Sequence, residues 1–204
     1  MFTSNPYAAG GWYNPQNPLS INGSAHPHPW FPNASLPPTF GALPAVTYPT
    51  NTLSFEFSPA QPDILSCLVV GPNRTTYFKV VTSNGATLIL KPRDEGMARI
   101  EWQAEPKLEI RNVIPNVYAS QWLRLSQDQS YRTMSVGGRN YVWAPRGGAI
   151  ILLSAGPSAP AELGRITRSP NAVILELTSD AIQAGLLEAS VVATVLYQSG
   201  RNIA

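Results

Sequence analysis

The sequence predicts a mainly-β domain over residues 51–204, about twelve antiparallel strands closed into a barrel around a buried hydrophobic C-terminal helix. Three observations predict it. From residue 52 onward, short β-branched and aromatic runs recur between Gly, Pro, Asn and Asp. Between some of these runs stand tight-turn sequences, Ser83-Asn-Gly85 and Val136-Gly-Gly138, whose Asn and Gly residues accept positive φ. Near the end, Ala181–Tyr197 is apolar on nearly every helical face.

The strands are expected at 52–57, 65–70, 77–82, 86–91, 97–104, 107–112, 121–125, 131–136, 139–144, 149–154, 163–169 and 172–178. Several alternate with period two. In Arg99-Ile-Glu-Trp-Gln103, Ile100 and Trp102 face one way while Arg99, Glu101 and Gln103 face the other. Lys107-Leu-Glu-Ile-Arg111 repeats the pattern. A dozen short strands at this spacing fit a barrel or a sandwich of antiparallel neighbours.

The closing helix, residues 180–198, favours the barrel. Ser179 or Asp180 caps its start and Gly200 follows as a stop. A helix apolar all round is buried in protein or spans a membrane. Spanning takes about 20 apolar residues, and Glu188 near the centre would be costly in hydrocarbon. A twelve-stranded barrel has a lumen that must be filled. Ala181, Ala184, Gly185, Ala189 and Ala193 let the wall approach such a plug.

Residues 1–50 read as a separate, proline-rich arm. They contain no Asp, Glu, Lys or Arg, and the first charge is Glu56. Ten prolines rule out any sustained helix or strand period, so the arm is expected to be disordered or draped over the domain. Leu36-Pro-Pro-Thr-Phe40 is close to a proline-rich ligand motif, and His26-Pro-His28 offers two imidazoles, too few for a metal site. The arm therefore carries the expectation of a protein partner or of self-association.

Composition excludes more chemistry than it suggests. A net charge of +2, with 14 scattered basic residues, does not make the basic stripe that nucleic acid requires. The single Cys67 lies in the apolar run Leu65–Val70, which predicts a buried, inert thiol and no disulfide framework. Met1–Tyr7 lacks the pattern of a signal peptide, so the acceptor sequences at Asn22, Asn33 and Asn73 carry little weight and a cytoplasmic protein is expected. Both histidines fall in the arm, which leaves the domain without the base of a Ser-His or Cys-His catalytic pair. Glu101, Glu105 and Glu109 read as a solvated face, and the paired glycines lack the lysine of a phosphate-binding loop. Trp102, Trp122, Tyr131, Tyr141 and Trp143 read as core. No enzyme, metal site or cofactor is expected.

A set of residues in order carries a family resemblance: Leu53-Ser-Phe-Glu-Phe-Ser58, Tyr77-Phe-Lys-Val-Val-Thr82, Ile100-Glu-Trp102, Gly138-Arg-Asn-Tyr-Val-Trp143, and Val191–Tyr197 with Arg201. Across roughly residues 51–201 the chain resembles the tubby C-terminal-like fold shared with LURP-one proteins and phospholipid scramblases, and more closely a family of fungal, chiefly basidiomycete, domains near that fold. The resemblance implies a non-enzymatic binding or scaffolding module, peripheral to a membrane and recognising a phosphoinositide or another lipid headgroup. The residues it points to are Lys91 and Arg93, with Lys79 and Arg74 on preceding segments. Such cations hold a phosphate by charge-assisted hydrogen bonds. Asp94 and Glu95 follow at once and offset part of their field.

Overall fold

Among the described residues, thirteen strands form one antiparallel sheet in the order β7-β6-β5-β4-β3-β2-β1-β13-β12-β11-β10-β9-β8. In chain order they are β1 (Thr52–Ser58), β2 (Cys67–Val70), β3 (Thr76–Ser83), β4 (Ala86–Leu90), β5 (Gly96–Glu101), β6 (Lys107–Ile110), β7 (Ile114–Tyr118), β8 (Leu123–Leu125), β9 (Arg132–Val136), β10 (Arg139–Arg146), β11 (Ala149–Ser154), β12 (Glu162–Arg168) and β13 (Val173–Thr178). Helix α1 (Ala119–Trp122) joins β7 to β8, and α2 (Ser179–Gln183) and α3 (Leu187–Gln198) follow β13. The computed structural model describes residues 51–58, 64–156 and 159–203. The expectations placed on the arm, including its motifs and its partner, lie outside them.

The hairpins follow from their turns. Asn84-Gly85, Gly137-Gly138 and Gly147-Gly148 each place two residues at positive φ between paired strands. That is the backbone of a type I′ turn, whose twist matches the flanking strands. Inward positions alternate with outward ones, so Phe55 and Phe57 of β1, Phe78 and Val80 of β3, and Met134 and Val136 of β9 enter one core.

Strand number decides how the sheet ends. Every neighbouring pair is antiparallel, so an odd count of thirteen leaves β7 and β8, the two edges, pointing the same way. A flat sheet of that size would hold its edges about 58 Å apart at ~4.8 Å per strand. The five Cα steps from Tyr118 to Leu123 cover about 19 Å at most, so the sheet must curl. It is not closed by hydrogen bonds, which corrects the expected closed barrel: β7 and β8 would have to pair in parallel, and a parallel pair needs a much longer crossover than α1. Instead α1 lines the seam. Ala119 and Trp122 are buried, Ala119 N donates to Pro106 O at 2.8 Å, and Trp122 Nε1 donates to Ser135 O at 3.3 Å. Both edges are blunted, β7 by Pro115 and β8 by its length of three residues.

Three further expectations need correction. The strand count is thirteen because β7, with Pro115 and Asn116 inside it, hides its period; Pro is compatible with an edge. The segment expected as a strand at 121–125 begins as α1. The single helix over 180–198 is two. Thr178 is the residue that caps α2, its Oγ1 accepting from Ala181 N at 3.1 Å. The helix then ends in a Schellman motif: Gly185, at φ +74, donates to Ile182 O, and Leu186 N donates to Ala181 O, both at 3.0 Å.

Helix α3 fills the interior. Residues 189–196 are all buried, and the apolar ones among them share one cluster with side chains from both halves of the sheet. Among the described residues, no helix is long and apolar enough to cross a membrane. Cys67 is buried, its Sγ donating to Ile64 O at 3.1 Å.

Candidate functional site

With the interior occupied, the chemistry lies at the strand ends and on the outer face. The β2–β3 and β4–β5 connections are two copies of one loop, Gly71-Pro-Asn-Arg-Thr75 and Lys91-Pro-Arg-Asp-Glu95. Pro72 and Pro92 each open a single 3-10 turn, where a fixed φ and a missing N–H cost nothing. Gly71 N donates to Thr75 O and Lys91 N to Glu95 O, both at 2.8 Å. Each loop also follows or meets a register shift, at Val69/Val70 and at Ile89/Leu90.

Both loops hold consecutive non-glycine residues in the left-handed region. Asn73 and Arg74 sit at φ 59 and 57, and Arg93 and Asp94 at φ 69 and 57. For a residue such as Arg this region costs about 1 kcal/mol or more. The loops lie at the same end of the sheet and two strands apart, about 10 Å at ~4.8 Å per strand. Arg74 and Arg93 are exposed, and neither forms an ion pair among the described residues.

Of the four cations expected to gather here, the fold places Arg74 and Arg93 on neighbouring loops. Lys91 is engaged elsewhere: its Nζ lies 2.5 Å from Glu188 Oε1 in the first turn of α3. Lys79 stands on the outer face of β3, in register with Leu68 and Leu90. It stands four positions beyond Thr75, about 13 Å along the strand. One cation was missed. Arg111, in the β6–β7 connection at the same end, reaches Glu95 Oε1 at 3.4 Å. Its position could be read only by recognising β7.

Beside these loops the outer face carries a groove of about 280 Å³. Leu88, Met97 and Ala98 form its apolar part, and Arg99, Glu109 and Arg111 its charged part. Arg99 pairs with Glu101 at 2.9 Å, and Arg99 and Glu109 are cross-strand partners, so this acidic series is a solvated face. Trp122, Tyr141 and Trp143 are in the core, Trp102 is half-buried, and Tyr131 is exposed.

Two groups titrate away from their ordinary ranges. Hydrogen bonds from the Ser126 hydroxyl and from Ser130 hold the Asp128 carboxyl at about 2. Burial pushes the Tyr197 phenol upward, and the charge of Arg132 opposes this only in part. Neither adjoins the Arg74–Arg93 end. Among the described residues, no three His, Cys, Asp or Glu side chains are grouped to hold a metal ion.

No family model matches the chain, and no curated protein matches it. The X-ray structure of a protein from Arabidopsis thaliana is similar at 10% identity and a TM-score of 0.35, over 68% of this chain and 89% of that one.

Proposed function

We propose that this protein is a non-enzymatic binding module whose ligand is an anionic headgroup, a phosphoinositide or similar membrane phosphate, held at the loop end by Arg74 and Arg93. The sheet is taken as a barrel-like platform of the tubby-like kind that the sequence resembles. One observation carries the reading: two arginines without an ion pair among the described residues occupy like-folded neighbouring loops, each held in a backbone conformation that arginine does not favour. Strain of this sort collects where a side chain must be presented in one direction.

Guanidinium groups suit the task because their fork of N–H donors meets phosphate oxygens in pairs. Lys79 adds charge along the face, and Lys91 holds the loop to α3. Asp94 and Glu95 reduce the long-range field, so the reading calls for short-range, headgroup-dependent binding in place of general adhesion to anionic surfaces.

Sedimentation of the full chain with phosphatidylcholine vesicles, with and without phosphoinositide, tests this. The expected result is phosphoinositide-dependent pelleting that weakens with salt. Arg74→Ala/Arg93→Ala should reduce it roughly tenfold or more, at about 1 kcal/mol per cation near the surface. Equal pelleting of the native chain and the double variant would sink the assignment.

A further inference from the structure

Among the described residues the buried polar side chains are few, Thr87 and Thr178 on strands and Ser190 and Thr194 on α3. Ser190, Thr194 and Tyr197 stand at i, i+4 and i+7, which stacks them on one side of the helix. Thr194 Oγ1 donates back to Ser190 O at 2.7 Å. Ser190 Oγ and Tyr197 Oη are buried and have no hydrogen-bond partner among the described residues.

Tyr197 packs edge-on against Trp143 of β10, with ring centroids 6.0 Å apart and planes at 62°. Trp143 is 1% exposed, and its Nε1 also lacks a partner among the described residues. Arg132 is the cross-strand partner of Trp143, on the side of β9 that buries Met134 and Val136. Its Nη1 donates to Leu123 O at 2.8 Å, and its charge reaches the Tyr197 phenol.

An indole N–H only donates, a guanidinium only donates, and a phenol O–H donates readily. Buried donors without acceptors oppose folding. Interior polar groups of this kind are met by a guest that offers an oxygen. We propose that one small oxygen acceptor sits between α3 and β10, taking hydrogen bonds from Trp143 Nε1 and Tyr197 Oη, with Arg132 beside it. Two sources supply such an oxygen, a trapped water and a small oxyanion such as phosphate or a carboxylate.

The test is urea unfolding of the full chain and of Tyr197→Phe, each alone and combined with Trp143→Phe. A bridged hydroxyl predicts that Tyr197→Phe lowers the folding equilibrium constant about fivefold. The loss should shrink in the Trp143→Phe background, because the guest is shared. Repeating the comparison with added inorganic phosphate or acetate separates the sources. Stabilisation by either ion that Arg132→Gln abolishes identifies an oxyanion; a loss indifferent to both identifies water. A Tyr197→Phe chain as stable as the native one, or a loss undiminished beside Trp143→Phe, overturns the proposal. A crystal structure near 1.5 Å resolution gives an independent decision: density within hydrogen-bond distance of both atoms supports the guest, and its absence refutes it.

Discussion

Lys91 Nζ lies 2.5 Å from Glu188 Oε1, which ties the β4–β5 loop to the first turn of the interior helix. An acid in that turn also faces the positive end of the helix dipole. With side-chain exposures of 39% and 24%, the pair is only partly shielded from solvent. Its contribution is therefore about 1 kcal/mol at most. Lys91→Met and Glu188→Gln should each lower stability by that amount in urea at low salt, and the double variant should lose little more than either single one. A difference that survives unchanged in 1 M salt would show that packing, and not charge, joins the two elements.

The other end of α3 is secured by aromatic contact. Arg201 stacks over the ring of Trp102 at 4.7 Å, Trp102 Nε1 donates to Thr87 Oγ1 at 2.7 Å, and Ile203 is 7% exposed. Ending the chain after Gly200 removes both anchors. Burial of an Ile is worth about 2 kcal/mol and the cation–π contact about 0.5–1 kcal/mol. Truncation should cost about 2–3 kcal/mol in denaturant unfolding, with Arg201→Gln accounting for the smaller share.

Gly164 in β12 is where the sheet tolerates no side chain. A Cβ there would stand 2.5 Å from Glu176 O and 2.6 Å from Leu177 Cδ2. The oxygen belongs to β13, which pairs with both β12 and β1, and so cannot yield alone. Gly164→Ala should destabilise by about 1–3 kcal/mol. Gly96→Ala, with nothing within 4 Å of its Cβ, should stay within about 0.5 kcal/mol. Equal effects in thermal unfolding would contradict the close approach of β12 and β13.

The β8–β9 loop should titrate as a unit. Ser126 Oγ donates to Asp128 Oδ1 at 2.6 Å and Ser130 Oγ to Oδ2 at 2.7 Å, holding the carboxyl at about 2 against an ordinary 3.8. A depressed folded value means the stabilisation is complete above about 3.8 and is lost as pH falls toward 2. Carbon-detected NMR should place the Asp128 midpoint well below the other carboxylates. A midpoint near 4 would show that the serine contacts do not persist in solution.

How much of this was legible depended on whether the signal was local. Twelve of the thirteen strands announce themselves by period or by turn residues, as Ile100 and the Asn84-Gly85 turn do. β7 did not, because Pro115 and Asn116 break its pattern, and the edge position that accommodates Pro115 is a fact of sheet order. Without β7 the strand count came out even, and an even count permits an all-antiparallel closure where thirteen does not. Gly185 was read as a small residue easing contact with the wall, while its positive φ ends α2. For the candidate site, Arg74 and Arg93 could be named from sequence. The diversion of Lys91 to Glu188, 97 residues away, could not, since nothing local joins the two.

The most direct measurement is an NMR titration of the full chain with a soluble inositol phosphate at low salt, followed by amide shifts. Binding by Arg74 and Arg93 predicts shifts concentrated in residues 71–75 and 91–95 that vanish in Arg74→Ala/Arg93→Ala. Shifts that cluster elsewhere on the sheet, or none at millimolar ligand, would contradict it.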